Sequence, residues 1–492
     1  MKRRSFCCAG LATLAATSIP YRWLRAAESE IAAVGLDGRQ LTLRGSDIQD
    51  LRAGLRGELI SAGQARYDEA RRLWNPAFDR HPAVIVRCAG AADVVRAVNF
   101  GAAHGLLTAV RCGGHSFGGQ SGCDGGLVID LTPMRAVEID PLAKQARVEG
   151  GALLGNFDRE AQAFGLATTA GVAADTGIGG LTLGGGIGRL GRRFGLTCDS
   201  LIAAELVTAD GRWLRAGAHE NPDLLWALRG GGGNFGVVTS FTYRLHELGP
   251  QVFGGALTYP FTGARQTLRS FADFLGSAPD ELFVGLDIDN GEHGEVVMEF
   301  DVTYSGPLKD AERVIAPLRK LGKPLKDELG PVTYVKLQGS NDAPGVAHEA
   351  VYLKGALVEG LSPTLIDTVV GFIESSPSDS FVIGWEPVGG AIARVAPKDT
   401  AYWNRGASHS MYVGGTWKVP GDGEQRNIDW VRRAWTQLEP LTRGHYVNII
   451  GGEQHENRAQ AAWGDNYPRL VALKKRYDPA NLFRLNANIK PA

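Results

Sequence analysis

The spacing of apolar residues changes several times along the chain, and each change marks an element. Residues 83–86 (Ala83-Val84-Ile85-Val86) form a short apolar run that predicts a strand. Val94, Val95, Val98 and Ala102 then recur at helical spacing, so an amphipathic helix leads to His104. Further strands are predicted over 106–110, 127–131, 136–139, 146–148, 203–208 and 237–245, with helices over 153–164 and 222–228. Beyond Pro250 alternating runs at 295–304 and 381–385 mix with helical patterns at 308–321 and 363–375. A last helix spans 466–477 and stops at Asp478-Pro479.

The chain of 492 residues is longer than one hydrophobic core supports, so two domains are expected. Apolar residues at 44% and charged residues at 21% are ordinary for a globular protein, and the formal charge of -1 gives no basic excess to attract nucleic acid. Glycine is the departure: 66 residues, nearly twice the usual ~7%, gathered in clusters rather than in a repeat. The clusters thin out after Pro250, where a second α+β domain begins.

The chain opens on Lys2-Arg3-Arg4-Ser5-Phe6, a mild apolar run to Ile19, and then Arg22, Arg25 and Ala26-Ala27. That run is shorter than the ~20 residues needed to span a bilayer. It fits a secretory signal and resembles the twin-arginine kind, which exports folded proteins; a disordered basic N-terminus is the alternative. The expected address is therefore exported, periplasmic or secreted, with no stable membrane insertion. Cys7 and Cys8 would leave with the signal, while Cys88, Cys112, Cys123 and Cys198 lack metal-ligand spacing and read as buried free thiols; no metal site is expected.

Three glycine-rich loops stand at strand ends: Arg111 to Gly119, Gly171 to Gly195, and Arg229 to Gly236. Successive backbone N–H groups in such loops form anion-binding concavities, and glycine lets them approach a pyrophosphate. No GxxxxGK[ST] occurs, which excludes a P-loop. Gly184-Gly185-Gly186-Ile187-Gly188 does not open a helix after the first strand of a βαβ unit, as a Rossmann fingerprint must. His115 is the sharpest feature, a histidine inside a glycine nest with no second metal-ligating residue beside it.

With Arg111-Cys112-Gly113-Gly114-His115-Ser116 the chain resembles the PCMH-type FAD-binding family and, within it, the berberine bridge enzyme-like oxidases. Gly177-Ile178-Gly179-Gly180 with Gly184-Gly185-Gly186-Ile187-Gly188 resembles the second flavin-contacting loop, and Gly233-Asn234-Phe235-Gly236-Val237-Val238 the third. Trp463-Gly464, Asn466-Tyr467 and Tyr477-Asp478-Pro479 match the family's C-terminal signature. The resemblance implies an α+β fold, with a two-part FAD-binding domain and a substrate domain whose antiparallel sheet is covered by helices. It divides the chain into a signal (1–27), a lead-in (28–75), the FAD domain (76–250), the substrate domain (251–443) and a C-terminal segment returning to the FAD domain (444–492). It implies cofactor contacts at Arg111, Cys112, Gly113, Gly114, His115, Ser116, Gly171, Gly177, Ile178, Gly179, Gly180, Thr182, Gly186, Gly188, Val238 and Asn448. In the family the histidine nitrogen bonds the flavin's 8α-methyl carbon, and many members add a cysteinyl link after Ala-Gly-Val. Here Ala173 follows Gly171-Val172, so one covalent bond is expected, through His115.

A proton must leave an alcohol or amine while hydride passes to the flavin, so a positioned base is needed. The family often supplies a tyrosine from Tyr-x-Asn-Tyr, its pKa lowered by positive charge; Tyr446-Val447-Asn448-Ile449 keeps the first tyrosine and the asparagine. Tyr446 is the candidate base or anchor against a packed tyrosine, and Glu386, in Trp385-Glu386-Pro387, is the candidate acid. Lys418 is a weaker candidate, with a solvated lysine as the alternative. Ile178 occupies a position where relatives admit or block oxygen, and its β-branched side chain leans toward an oxidase. The expected partners are a small-molecule substrate, O2 and export machinery for folded proteins. The alternatives are an FAD-dependent dehydrogenase or cyclase and, more remotely, a non-catalytic flavin-binding protein.

Overall fold

The computed structural model describes residues 30–492 apart from 292, 341–348, 420, 422 and 451–459. The signal-like segment over 1–27 lies outside the described residues. Two larger sheets build the N-terminal half, beside the two-stranded pairs Ile31–Val34 with Gln40–Leu43 and Leu166–Ala167 with His246–Glu247. The first has the order Glu58–Ser61, Val84–Arg87, Leu127–Asp130, Thr108–Arg111, and its last three strands run parallel. Parallel strands covered on both faces carry continuous apolar runs, and Val84, Ile85, Val86, Leu127, Val128 and Ile129 are all buried. The helix Ala91–Ala103 covers this sheet with Val94, Ala97, Val98 and Gly101. Ala102, expected on the buried stripe, is exposed; Gly101 lies there instead, and a Cβ on it would come 3.0 Å from Thr108 Oγ1.

The second sheet is antiparallel, in the order Trp213–Gly217, Leu201–Val207, Val237–Arg244, Gln145–Glu149, Val137–Asp140. The glycine-rich stretch from Gly171 contains two short helices, Ile178–Leu183 and Gly191–Phe194, where sequence suggested only loop. Their glycine content hides helical periodicity.

After residue 250 the chain forms one larger antiparallel sheet. Its order is Lys326–Asp327, Gln251–Pro260, Val296–Tyr304, Leu282–Asn290, Phe381–Pro387, His409–Trp417, Ala350–Val358, and Gly330–Thr333 also pairs with Gln251–Pro260. Helices Ala264–Leu275, Leu308–Ile315, Pro363–Ser375 and Glu424–Leu438 pack on one face, joining Phe271, Ile315, Val369 and Trp430 to Leu286, Phe300, Ile383 and Trp385 in one core. Side chains alternate along a strand, so Val382 and Glu386 lie on the opposite face from Ile383 and Trp385. The fold is α+β: a two-part domain joined to an antiparallel sheet covered by helices.

The C-terminal helix Tyr467–Tyr477 returns to the first half, where Leu470 and Leu473 join its core. The third glycine loop is held from this side. Lys474 Nζ donates to Asn234 O (2.9 Å), Phe483 O (2.9 Å) and Asp478 Oδ2 (2.6 Å), while Ile489 N donates to Asn234 Oδ1 at 3.0 Å.

Candidate active site

The three glycine loops meet around one cavity of about 660 Å³, within the usual range for a ligand site. The first strand sheet delivers residues 112–117 to its rim, the loop before Ile178–Leu183 crosses it, and Gly232, Gly233 and Gly236 close another side. The sheet of the second half faces it with Val351, Leu353, Val382, Glu386, Tyr412 and Thr416.

The first loop has the features of an anion nest. Gly114 is left-handed at φ +71°, a conformation glycine adopts without a Cβ penalty. Among the described residues, the backbone N–H groups of Gly113, Gly114, His115 and Ser116 donate to no other group of the protein. Four adjacent donors left open at a cavity wall suit a pyrophosphate. The cavity and this nest fit FAD.

His115 is not isolated. Its ring stacks on Trp74, with centroids 4.1 Å apart and an interplanar angle of 25°. Its Nε2 lies 3.3 Å from Asp175 Oδ1, short of hydrogen-bond alignment, and Nε2 has no other partner among the described residues. Trp74 Nε1 donates to Asp175 Oδ2 at 3.1 Å, and Trp74 N donates to Gly114 O at 3.2 Å.

Of the residues named from sequence, Cys112, Gly113, Gly114, His115, Ser116, Gly171, Gly177, Gly179, Gly180, Val238, Glu386, Tyr446 and Asn448 line the cavity. Arg111, Ile178, Thr182, Gly186 and Gly188 do not. Arg111 sends its guanidinium to Ala70 O. Ile178 is sealed in the core and does not line the cavity. Thr182 Oγ1 and Tyr243 OH are 2.8 Å apart in the same core. Gly186 and Gly188 are packing glycines: a Cβ would come 2.3 Å from Thr197 Oγ1 at the first and 2.5 Å from Gly171 N at the second. Ala173 lines the cavity. Cys112 does too, but burial pushes its thiol up to about 12, so it stays protonated. Lys418 is exposed.

Two polar groups of interest face the cavity. Tyr446 is buried, and its phenol oxygen accepts from Gly186 N (3.1 Å), Ile187 N (3.2 Å) and Asn448 Nδ2 (2.8 Å). Burial raises its pKa, and these donors oppose the rise; they are neutral amides rather than the positive charge expected from sequence. Glu386 is pushed up to about 7, chiefly by burial, with Arg189 drawing it down and Asp301 raising it. Tyr412 OH donates to Asp287 Oδ1 at 2.6 Å, and burial lifts that carboxyl to about 7 as well.

Sequence reasoning missed Trp74, Asp175, Tyr412 and the returning tail residues Phe483, Leu485 and Asn486, which also line the cavity. Asp175 carried a signal, being an acid between Ala173 and Gly177 inside a loop already singled out. Trp74 sits in no motif.

Residues 82–217 match the family described as FAD binding domain, and residues 445–490 match the one described as berberine and berberine like. The chain is 31% identical to (R)-6-hydroxynicotine oxidase of Paenarthrobacter nicotinovorans, over 89% of this chain and 97% of the relative. The crystal structure of 6-hydroxy-D-nicotine oxidase from Arthrobacter nicotinovorans superposes with a TM-score of 0.82 at 28% identity, covering 89% of this chain and 98% of that one. Glucooligosaccharide oxidase from Acremonium strictum, whose structure concerns a 6-S-cysteinyl, 8α-N1-histidyl FAD, superposes at 0.81 with 25% identity, covering 91% and 99%.

Proposed function

We propose that this chain, which belongs to the PCMH-type FAD-binding, berberine bridge enzyme-like oxidoreductases, is an exported oxidase of a small alcohol, sugar or amine, with FAD bound covalently through His115 alone. FAD binding and enzymatic oxidoreduction come with the family. The finer reading rests on one observation: His115 stands at the cavity wall inside a nest of open N–H donors, where Ala173 offers no second link. Export rests on the basic, apolar start of the chain, and the five-part division of the chain on the order of its motifs.

Bound FAD would take hydride from the substrate carbon and pass the electrons to dioxygen as hydrogen peroxide. Gly113, Gly114 and Ser116 would hold the pyrophosphate, with Gly177, Gly179 and Gly180 crossing beside it. Glu386, the acid candidate from sequence, takes the base role in place of Tyr446, whose burial keeps it protonated: a carboxyl near 7 is half ionised at neutral pH and takes the proton of a substrate O–H or N–H. Tyr446, its oxygen fixed by three donors, anchors the substrate heteroatom. The apolar wall of Val351, Leu353 and Val382 keeps water from the reacting carbon.

Acid precipitation tests the attachment. Yellow colour stays with the denatured wild-type pellet and is lost in His115→Ala; release of all flavin by wild type overturns it. Because Ile178 turns away from the cavity, the preference for oxidase over dehydrogenase rests on the relatives' activities. Stopped-flow reoxidation by air decides it, slow reoxidation favouring the dehydrogenase. Recovery of the active protein only from the cytoplasmic fraction overturns export.

A further inference from the structure

We infer that Asp175, held by Trp74, is the positioning residue and proton acceptor for attachment of the cofactor to His115, an inference that rests on the covalent reading above. Three separate segments contribute. Trp74 comes from the lead-in, His115 from the first loop and Asp175 from the second, and nothing in the motif pattern requires them to meet. Trp74 stacks on the imidazole at 4.1 Å and fixes its plane. Its indole N–H donates to Asp175 Oδ2 at 3.1 Å, which leaves Oδ1 facing His115 Nε2 at 3.3 Å.

A carboxylate beside one ring nitrogen selects the tautomer that carries its proton there. Nδ1 then keeps its lone pair, and among the described residues it has no protein partner to occupy that pair. Attachment through Nδ1 replaces one methyl C–H bond and the Nε2–H bond by one C–N bond. The two electrons and two protons released end on dioxygen as hydrogen peroxide. The linked imidazole is neutral only once Nε2 has lost its proton, and Asp175 is the group that faces Nε2. The arrangement follows the orienting logic of carboxylate–histidine pairs, in which the acid sets tautomer and plane and stabilises the charged ring.

Wild type, Asp175→Asn, Asp175→Glu, Trp74→Phe and His115→Ala are purified with limiting flavin and incubated with FAD in air. Total bound flavin is read by absorbance and the attached share by acid precipitation over time. Asp175→Asn is expected to bind flavin as wild type does but to attach it about 10²-fold more slowly, the lower end of a general-base contribution. Trp74→Phe lies between them and Asp175→Glu restores part of the rate. Attachment in Asp175→Asn at the wild-type rate overturns the inference while leaving the covalent reading intact. Wild type that never retains colour overturns the covalent reading itself. Should Asp175→Asn fail to fold, Trp74→Phe decides, and an unchanged rate there overturns the inference.

Discussion

Gly113 and Gly177 meet backbone to backbone where the first two glycine loops cross. A Cβ on Gly113 would lie 2.5 Å from Gly177 N, and one on Gly177 would lie 2.3 Å from Gly113 N. Neither neighbour is a side chain that could rotate away, so any Cβ pushes the loops apart. Gly177→Ala is expected to cost about 1–3 kcal/mol of packing strain. Borne by the cofactor site, that weakens flavin binding roughly 5- to 150-fold. The ratio of flavin to protein absorbance after gel filtration checks it, and Gly406→Ala is the control, since a Cβ there has nothing within 4 Å and the residue lies outside the cavity lining.

Glu386 makes a pH prediction. Its carboxyl, raised to about 7, is ionised above that pH and protonated below it. As a base it works only when ionised, so kcat/KM rises with pH through about 7 and levels off. Glu386→Gln is expected to lose about 10²- to 10⁴-fold in kcat/KM and to flatten this limb. A variant that keeps the limb assigns it to another group, Asp287 first, because burial lifts that carboxyl to the same range.

The loops and the tail signature were legible because glycine clusters and fixed motifs leave a local signal. Most of the residues named from these motifs therefore line the cavity, and the order of motifs gave the fold class. Side-chain direction could not be read. Ile178 sits in a loop that touches the cavity, yet its side chain turns into the core, because the short helix it opens packs that face inward. Arg111 likewise belongs to the right loop and points elsewhere. Trp74 was invisible for another reason. Its role depends on a contact with Asp175, 101 residues away, and a single sequence does not record such contacts. Nor did the sequence reveal how far burial would shift Glu386.

Asp158 is buried between the helix Leu154–Gln162 and the helix Tyr334–Gln338, where it accepts from Gln338 Nε2 at 3.1 Å. Burial raises its carboxyl to about 7, with Gln338 and Arg189 opposing the rise. The folded state therefore holds this proton more tightly than the unfolded chain. That stability is present below the unfolded pKa of ~3.9 and is lost as pH rises through about 7. Asp158→Asn keeps the hydrogen-bonding shape without the charge. Its melting temperature, measured from pH 4 to 8, is expected to fall less with rising pH than that of wild type. Parallel curves for the two proteins would count against the assignment.

Lys474 and Asp478 form a fully buried ion pair that fixes the returning tail. The ammonium spends its other protons on Asn234 O and Phe483 O, and Asp478 accepts from Leu482 N and Phe483 N, at 2.7 and 2.9 Å. One pair thus joins the third glycine loop to the segment that brings Phe483, Leu485 and Asn486 to the cavity. Lys474→Met strands a buried carboxylate and two carbonyls, a change that typically costs about 3–5 kcal/mol. Urea denaturation should show that loss, together with faster flavin release when His115→Ala is present to remove any covalent tether. Replacing both partners, Lys474→Met with Asp478→Leu, removes the stranded charge but also the acceptor for two backbone N–H groups. It should therefore recover only part of the stability. Full recovery would mean that the pair is dispensable and that apolar packing alone holds the tail.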